Sequence, residues 1–546
     1  MSNAHDTEAA NTMPTITQSE PQQMPLIHIV DANEAILLAS AGADWFRILY
    51  DFPWQQYQKF AAQYYDLLYQ FNLNEAEKRS ERELEDEWWE SSETREEAAQ
   101  RLLFDRAGMR KLAGEKPPIL YQGKVVEADT TVDPEALAPG IVPERIAGRK
   151  PKCFFAMLKS FLGVTLMGFT PEPETVNMLL TSNLNFLQVC GFIPKGAKDA
   201  YSFSHAPTVR KLEQFDQILT ESGLWNRMKL DEIARNLREG VIKKENELVA
   251  DTTHYYAYSG FETVTYTDEN GEDKKKSQSK VTKRCRCADQ ETCFHEWVLA
   301  DEGAGTIVKS NKQMHWGHKA SIIGLPRQGV PLDAAAVTDA AIHDSETLYP
   351  HVEKLFAELP ELKDWIDRVL YDSACDGEEL KEKFQKELGL ELKASLNPRR
   401  KKEITENLPR GIHKITPYGD PICMNGFMFD YKGMRYETEK FIYQAPIDKY
   451  GVPVCTRCWQ KAACCPNARE VRTITVSFDA LPHINPKDPP MAKRFKAIMS
   501  RRPSVERMIK RLKCDLSDDR LSKRGTASFQ AYLDKTMIAF HHLLRR

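Results

Sequence analysis

The 546-residue chain contains no run of about 18 apolar residues, so its pattern excludes a membrane-spanning helix, and a membrane partner is not expected. The first 25 residues lack both a basic start and an apolar stretch; residues 1–25 read as a loose polar tail and not as a secretory leader. A strong net charge is also missing. The total is -4, which alone argues against a partner whose phosphates must be neutralised. Twelve cysteines without a leader fit a reducing compartment, where clustered cysteines serve metals or stay buried more often than they form disulfides. A cytoplasmic protein is the expectation.

What is present is large and uneven. The length suggests roughly three or four units at about 150 residues each. From Ser477 to Arg546 there are sixteen Lys or Arg against seven Asp or Glu, an excess of nine positive charges that can meet a polyanion. Glu75 to Glu97 shows the opposite bias and reads as a solvated amphipathic helix. Apolar residues recur at three and four from Trp45 to Leu112, and a Pro- and Gly-rich linker spans Pro117 to Lys152. The pattern predicts a helical N-terminal region and linker over 26–150. A second helical region follows over 151–245, broken at Thr170-Pro-Glu-Pro and between Gly191 and Pro207.

Beyond residue 245 the period changes. The apolar run Leu248-Val249-Ala250 ends in Asp251, and Val369-Leu370-Tyr371 ends in Asp372. Between and after them lie a strand-like Ala320 to Leu325, a helical Ser345 to Asp367, a helical Gly377 to Leu388 and a strand-like Leu390 to Leu396. This alternation predicts an α/β fold (α+β over the whole chain), a mixed sheet flanked by helices built from 246–397 and 477–546. Residues 398–476 read as a β-rich insertion. Acids at the ends of buried strands tend to face a ligand crevice. A helix from Met499 to Cys514 carries Arg502-x3-Glu506-x6-Lys513, whose spacings of four and seven share one face. Pro503 is tolerated only in a first turn, so that helix starts there, with Arg502 just before it.

The order around Glu506 is similar to Tyr-x2-Arg-x3-Glu-x6-Lys, the signature helix of bacterial insertion-sequence transposases, with Met499 in the tyrosine place. Other stretches agree in sequence order. Val249 to Thr253 resembles that family's first-strand motif, Trp316-Gly-His-Lys319 its Gly-x-Lys, and Pro331 with His343-Asp-Ser345 its helix start. Tyr371 to Asp376 resembles Ala-Asp-x-Gly-Tyr-Asp with Cys375 at the usual aromatic, and Cys190-Gly-Phe192 resembles the helical N-terminal part. The resemblance covers about residues 150–546.

It implies a DDE transposase with a ribonuclease H-like catalytic domain, in which Asp251, Asp372 and Glu506 hold Mg²⁺ or Mn²⁺. Crowded carboxylates repel unless cations neutralise them, and oxygen-only donor sets suit these ions. The resemblance further implies phosphate contacts from Arg502 and Lys513. Lys319, Lys510, Arg399 and Arg400 are additional phosphate-contact candidates. The implied partners are DNA, as element ends and target, and a second copy of the chain in a dimer or larger assembly at the bacterial nucleoid. Recognition of element ends falls to the helices of 151–245. Two readings of other kinds stay open: a DNA-binding protein that keeps the fold without cutting, and a nuclease of related fold that hydrolyses without joining.

Two cysteine groups stand apart. Cys455-x2-Cys458-x5-Cys464-Cys465 and Cys285-x-Cys287-x5-Cys293-x-His295 offer the soft donors that structural zinc prefers. In the first, Cys455 and Cys458 have knuckle spacing, but Cys464 and Cys465 follow too closely for an ordinary four-ligand finger; Cys423 could complete the set. Buried thiols are the other reading of both.

Overall fold

The computed structural model describes residues 44–68, 70–72, 119–121, 124–126, 152–193, 202–267, 271–283, 293, 295–308, 314–397, 402–464, 466 and 471–545. The polar tail, the Glu75–Glu97 segment, most of the linker, Arg399, Arg400, Cys285, Cys287 and Cys465 lie outside them.

Helix α1 (Asp44–Asp51) precedes a helical stretch over 58–68. Helix α2 (Phe154–Leu166) is apolar almost all round, and twelve of its thirteen residues are buried, so it runs through a core and not over a surface. Around it pack α3 (Pro173–Ser182), which starts on the proline as expected of a first turn, α4 (Leu184–Val189), α5 (Val209–Glu221) and α6 (Leu224–Arg238). The Asn183 side chain caps α4 by accepting from Phe186 N.

Leu248, Val249 and Ala250 have no exposed surface, and they open the central strand β1 (Glu247–Tyr256). A hairpin of β2 (Phe261–Thr267) and β3 (Asp273–Ser279) follows, then β4 (Gly305–Val308), β5 (Met314–Leu325) and β6 (Val330–Ala336). Helix α7 (Asp344–Glu358) leads to β7 (Arg368–Tyr371), and α8 (Glu378–Lys383) to β8 (Glu391–Ala394). The strands lie in the order β6-β5-β1-β7-β8, with β4 added to β5. The β6–β5 and β5–β1 pairs are antiparallel and the β1–β7 and β7–β8 pairs parallel, which is the mixed sheet expected from the alternation. Strand β1 outruns its apolar start because Thr252 to Tyr256 go on pairing with β5, down to Tyr256 opposite Gly317. A Cβ on Gly317 would lie 1.9 Å from Tyr255 O, so only glycine fits that crossing. Asp251 is therefore within a strand and not at its end. The expected Ser345–Asp367 helix stops at Glu358, because Pro360 cannot continue it.

Beyond the sheet, β9 (Ile412–Ile415), β10 (Pro421–Cys423), β11 (Asp430–Arg435), β12 (Lys440–Gln444) and β13 (Thr473–Ser477) form a separate small module around eleven buried residues. The chain then returns as α9 (Lys493–Met499), α10 (Ser504–Lys510) and α11 (Thr526–Leu543). A turn at residues 500–503 separates α9 from α10, and α10 starts at Pro503, its cap, as that proline implied.

Helix α11 joins the two large cores. Thirteen of its eighteen residues are buried, with Met537 and Phe540 packed on the sheet side and Ala531 and Ile538 on the helical side. Charges in that seam are all paired. Lys229 Nζ lies 2.5 Å from Asp333 Oδ1 on β6 and 2.9 Å from Asp534 Oδ1, while His351 Nε2 meets Asp333 Oδ2 at 3.0 Å. Burial disfavours the Lys229 ammonium, but Asp333 and Asp534 outweigh it and raise its pKa above the usual lysine value. Lys535 meets Asp216 at 2.9 Å in the same seam. Removing one member strands the rest, so Lys229→Ala is expected to lower stability by about 3–5 kcal/mol in urea unfolding. Lys386→Ala, from an exposed pair with Glu382, should leave the urea midpoint nearly unchanged; equal effects would refute the seam's role.

Candidate active site

Parallel pairing of β1 with β7 sets Leu370 opposite Val249; two residues on stand Asp251, still within β1, and Asp372, just past the end of β7. The two acids are close enough for Asp372 to raise the Asp251 pKa. Asp251 accepts from Thr252 N at 2.9 Å, and Asp372 caps a short turn over Ser373–Cys375 by accepting from Ala374 N at 2.8 Å. A third acid joins them from the first turn of α7. Asp344 accepts from Thr252 Oγ1 at 3.1 Å and pairs with Lys319 at 3.2 Å.

The result is electrostatic crowding. Burial pushes the Asp251 carboxyl up to about 6, and Asp372 and Asp344 add to the rise, against the lowering effect of Arg502 and the Thr252 amide. Burial, reinforced by the same acids, also pushes the Cys375 thiol and the Tyr371 phenol far up, so both stay neutral beneath the site.

Glu506 arrives from α10. Val505, Met508 and Leu512 are buried and seat this helix on the sheet, and Gly324 on β5 permits the approach, since a Cβ there would lie 2.5 Å from Met508 Sδ. Two consecutive arginines tie the turn before α10 to β1. Arg501 pairs with the buried Glu247, and Arg502 Nη2 lies 2.6 Å from Asp251 Oδ2. Arg502 Nη1 also holds Glu506 Oε1 at 2.7 Å, so one guanidinium lies between the two acids. As placed, no three of the described His, Cys, Asp or Glu side chains gather about a single point. The donors are nevertheless all carboxylates, and burial keeps the Asp251 pKa raised even with Arg502 beside it. Asp251 and Asp372 fit a divalent ion of the Mg²⁺ class, with Glu506 one guanidinium away.

Other expected contacts divide. Lys510 is exposed on α10, as are Arg507 on α10 and Lys493, Arg494 and Lys496 on α9, giving the basic face anticipated from composition. Lys319 was expected at a phosphate, but it is only 7% exposed and donates to Ile342 O at 2.6 Å besides pairing with Asp344; it braces the start of α7. Lys513 donates to His254 O and lies 5.2 Å from the Tyr255 ring. Its spacing of seven from Glu506 presumed a regular helix, whereas the chain widens into a π turn over Arg511–Asp515. Met499 is half-buried against the sheet core. Asp344 escaped sequence reading; its signal was an acid at a helix start, which reads equally as a dipole partner.

Metal-free, Asp251 holds its proton more tightly folded than unfolded. Its contribution to stability therefore falls as pH rises from 3.8 through about 6 and stays low above that. A bound divalent ion must displace this proton. The melting temperature should thus rise more on adding Mn²⁺ at about pH 7.5 than at about pH 5, and Asp251→Asn should abolish the rise. An equal rise in the variant would refute the site.

No family model and no curated protein matches this chain. Among solved structures it is similar to the piggyBac transposase in a cryo-EM synaptic complex with hairpin DNA, with a TM-score of 0.27 and 9% identity. The match covers 71% of this chain and 65% of that one, so the chain spans less than two thirds of that protein's length. A likeness of this size assigns no residue a role.

Proposed function

We propose that the protein is a metal-dependent DNA transposase that cuts at the ends of its mobile element and joins the 3′-hydroxyl ends to target DNA. One observation carries the reading: Asp251 in β1 and Asp372 just past the paired parallel strand β7 lie near one another, with Glu506 tied to Asp251 through Arg502. The motif resemblance assigns these same three acids. Asp251, Asp372 and Glu506 would hold Mg²⁺ or Mn²⁺. Two such ions supply activation of a water or 3′-hydroxyl and charge for the leaving oxygen.

The protein's own groups do the positioning. Arg502 offers a planar pair of donors to a phosphate once it leaves the acids, and Arg507 and Lys510 on α10 with the basic face of α9 follow the DNA backbone. Two element ends must be held together, which calls for a dimer or larger assembly.

Incubation with Mg²⁺ and labelled DNA carrying an element end should give cleavage and joined products. Asp251→Ala and Glu506→Ala should each lower the rate by at least about 10²–10³-fold while leaving DNA binding intact. Cleavage without joined products would favour a nuclease, and binding without cleavage in any metal would sink the enzymatic reading. Lys510→Ala should reduce the slope of log affinity against log salt by about 0.9 on any sequence, measured by fluorescence anisotropy.

A further inference from the structure

The small β-module contains a stretch that its own core holds at little more than Cys455. Between β12 and β13 the described residues form two short helical turns, Val454–Arg457 and Lys461–Cys464, and from Pro446 to Cys464 no residue is fully buried. A loop of that length ordered without buried apolar groups needs some other fastening.

The fold brings four cysteines together there. Cys455 and Cys458 come from the first turn, Cys464 from the end of the second, and Cys423 from the end of β10; all four line one small cavity. Cys465, the neighbour that the spacing had included, lies outside the described residues. The surroundings suit thiolates. Asn425 Nδ2 donates to Cys458 Sγ at 3.0 Å, and Arg472 and Lys461 line the same cavity. At Gly411, beside β9, a Cβ would come within 2.7 Å of Cys464 Sγ and of Arg472 Nη1, so that glycine lets both approach.

We infer that Cys423, Cys455, Cys458 and Cys464 form a structural zinc site that staples the 446–464 loop to the β-module. Four thiols would each release a proton to solvent on binding, and the −2 charge of a zinc tetrathiolate would be offset by Arg472 and Lys461. The Asn425 amide supplies the outer hydrogen bond that orients such a ligand. As placed, no three of the sulfurs converge on one point. Each cysteine has a single side-chain torsion with three staggered wells, so its sulfur can be redirected without moving the backbone. The site is far in sequence from the three acids, and its test does not depend on their activity.

The test is metal content of the purified full chain by mass spectrometry, beside Cys423→Ser, Cys458→Ser, Cys464→Ser, Cys465→Ser and the exposed Cys514→Ser. The first three should each lose one equivalent of zinc relative to wild type, and the last two should lose none. Wild-type protein reconstituted with Co²⁺ should show the intense visible bands of a tetrahedral thiolate site, a readout that survives if a variant fails to fold. Zinc unchanged in Cys423→Ser and Cys458→Ser, or no thiolate spectrum in the wild type, overturns the site. Loss in Cys465→Ser with retention in Cys464→Ser overturns this ligand set.

Discussion

Everything on the sheet depends on a helix that cannot leave it. Helix α11 is buried on nearly every side, so each charge it carries must find its partner inside the protein. Asp534 finds Lys229 from the helical region, and Lys229 reaches on to Asp333 in strand β6, which is held in turn by His351. Separating the helical region from the sheet would uncover apolar surface on both and leave several buried charges unpaired at once. The two behave as one body, and β6, β5 and β1 inherit their positions from that seam. Asp251 lies on the third of these strands.

The site is built on opposite terms. At the seam each acid has a cation at hand, whereas near Asp251 three carboxylates share Arg502 and Lys319, and Lys319 serves Asp344. Burial raises the Asp251 pKa and Arg502 only partly offsets it, whereas Lys229 and His351 outweigh burial at Asp333 and hold it low, so the same residue type moves in opposite directions a few strands apart. A perturbed acid held beside a specific charge partner is a candidate for a functional place.

Much of this was legible in the chain. The apolar runs before Asp251 and Asp372 gave their strands away, and the order of periods gave the mixed sheet. Parallel pairing that aligns the two acids is a tertiary fact, invisible in a strand's own residues. The basic end of the chain reads as helical, and α11 is a helix, but its burial on nearly every side was unmarked because such a helix lacks the one-sided stripe by which a buried face is read. Lys319 reads in the sequence as a phosphate contact, and Asp344 only as part of a helix start. A lysine and an acid 25 positions apart each look available, and only the fold shows that they satisfy each other. The Arg502–Glu506 spacing read correctly because it needs a single turn of helix, whereas Lys513 needed nearly two and met a π turn instead.

Arg502 also sets the order in which the site can change. Its bond to Glu506 joins a carboxylate whose side chain is 60% exposed, and such pairs are worth roughly 0–1 kcal/mol. Its bond to Asp251 is more shielded, with side chains 19% and 16% exposed, and is the harder of the two to break. Glu506 is therefore the partner that detaches first, at little cost. The guanidinium then faces an acid whose proton affinity is already high, and a phosphate with two parallel acceptors is the better partner for it. In this arrangement one guanidinium is shared by Asp251 and Glu506 in the metal-free site. The proposed catalytic form would differ from it mainly by the placement of that side chain and of Glu506.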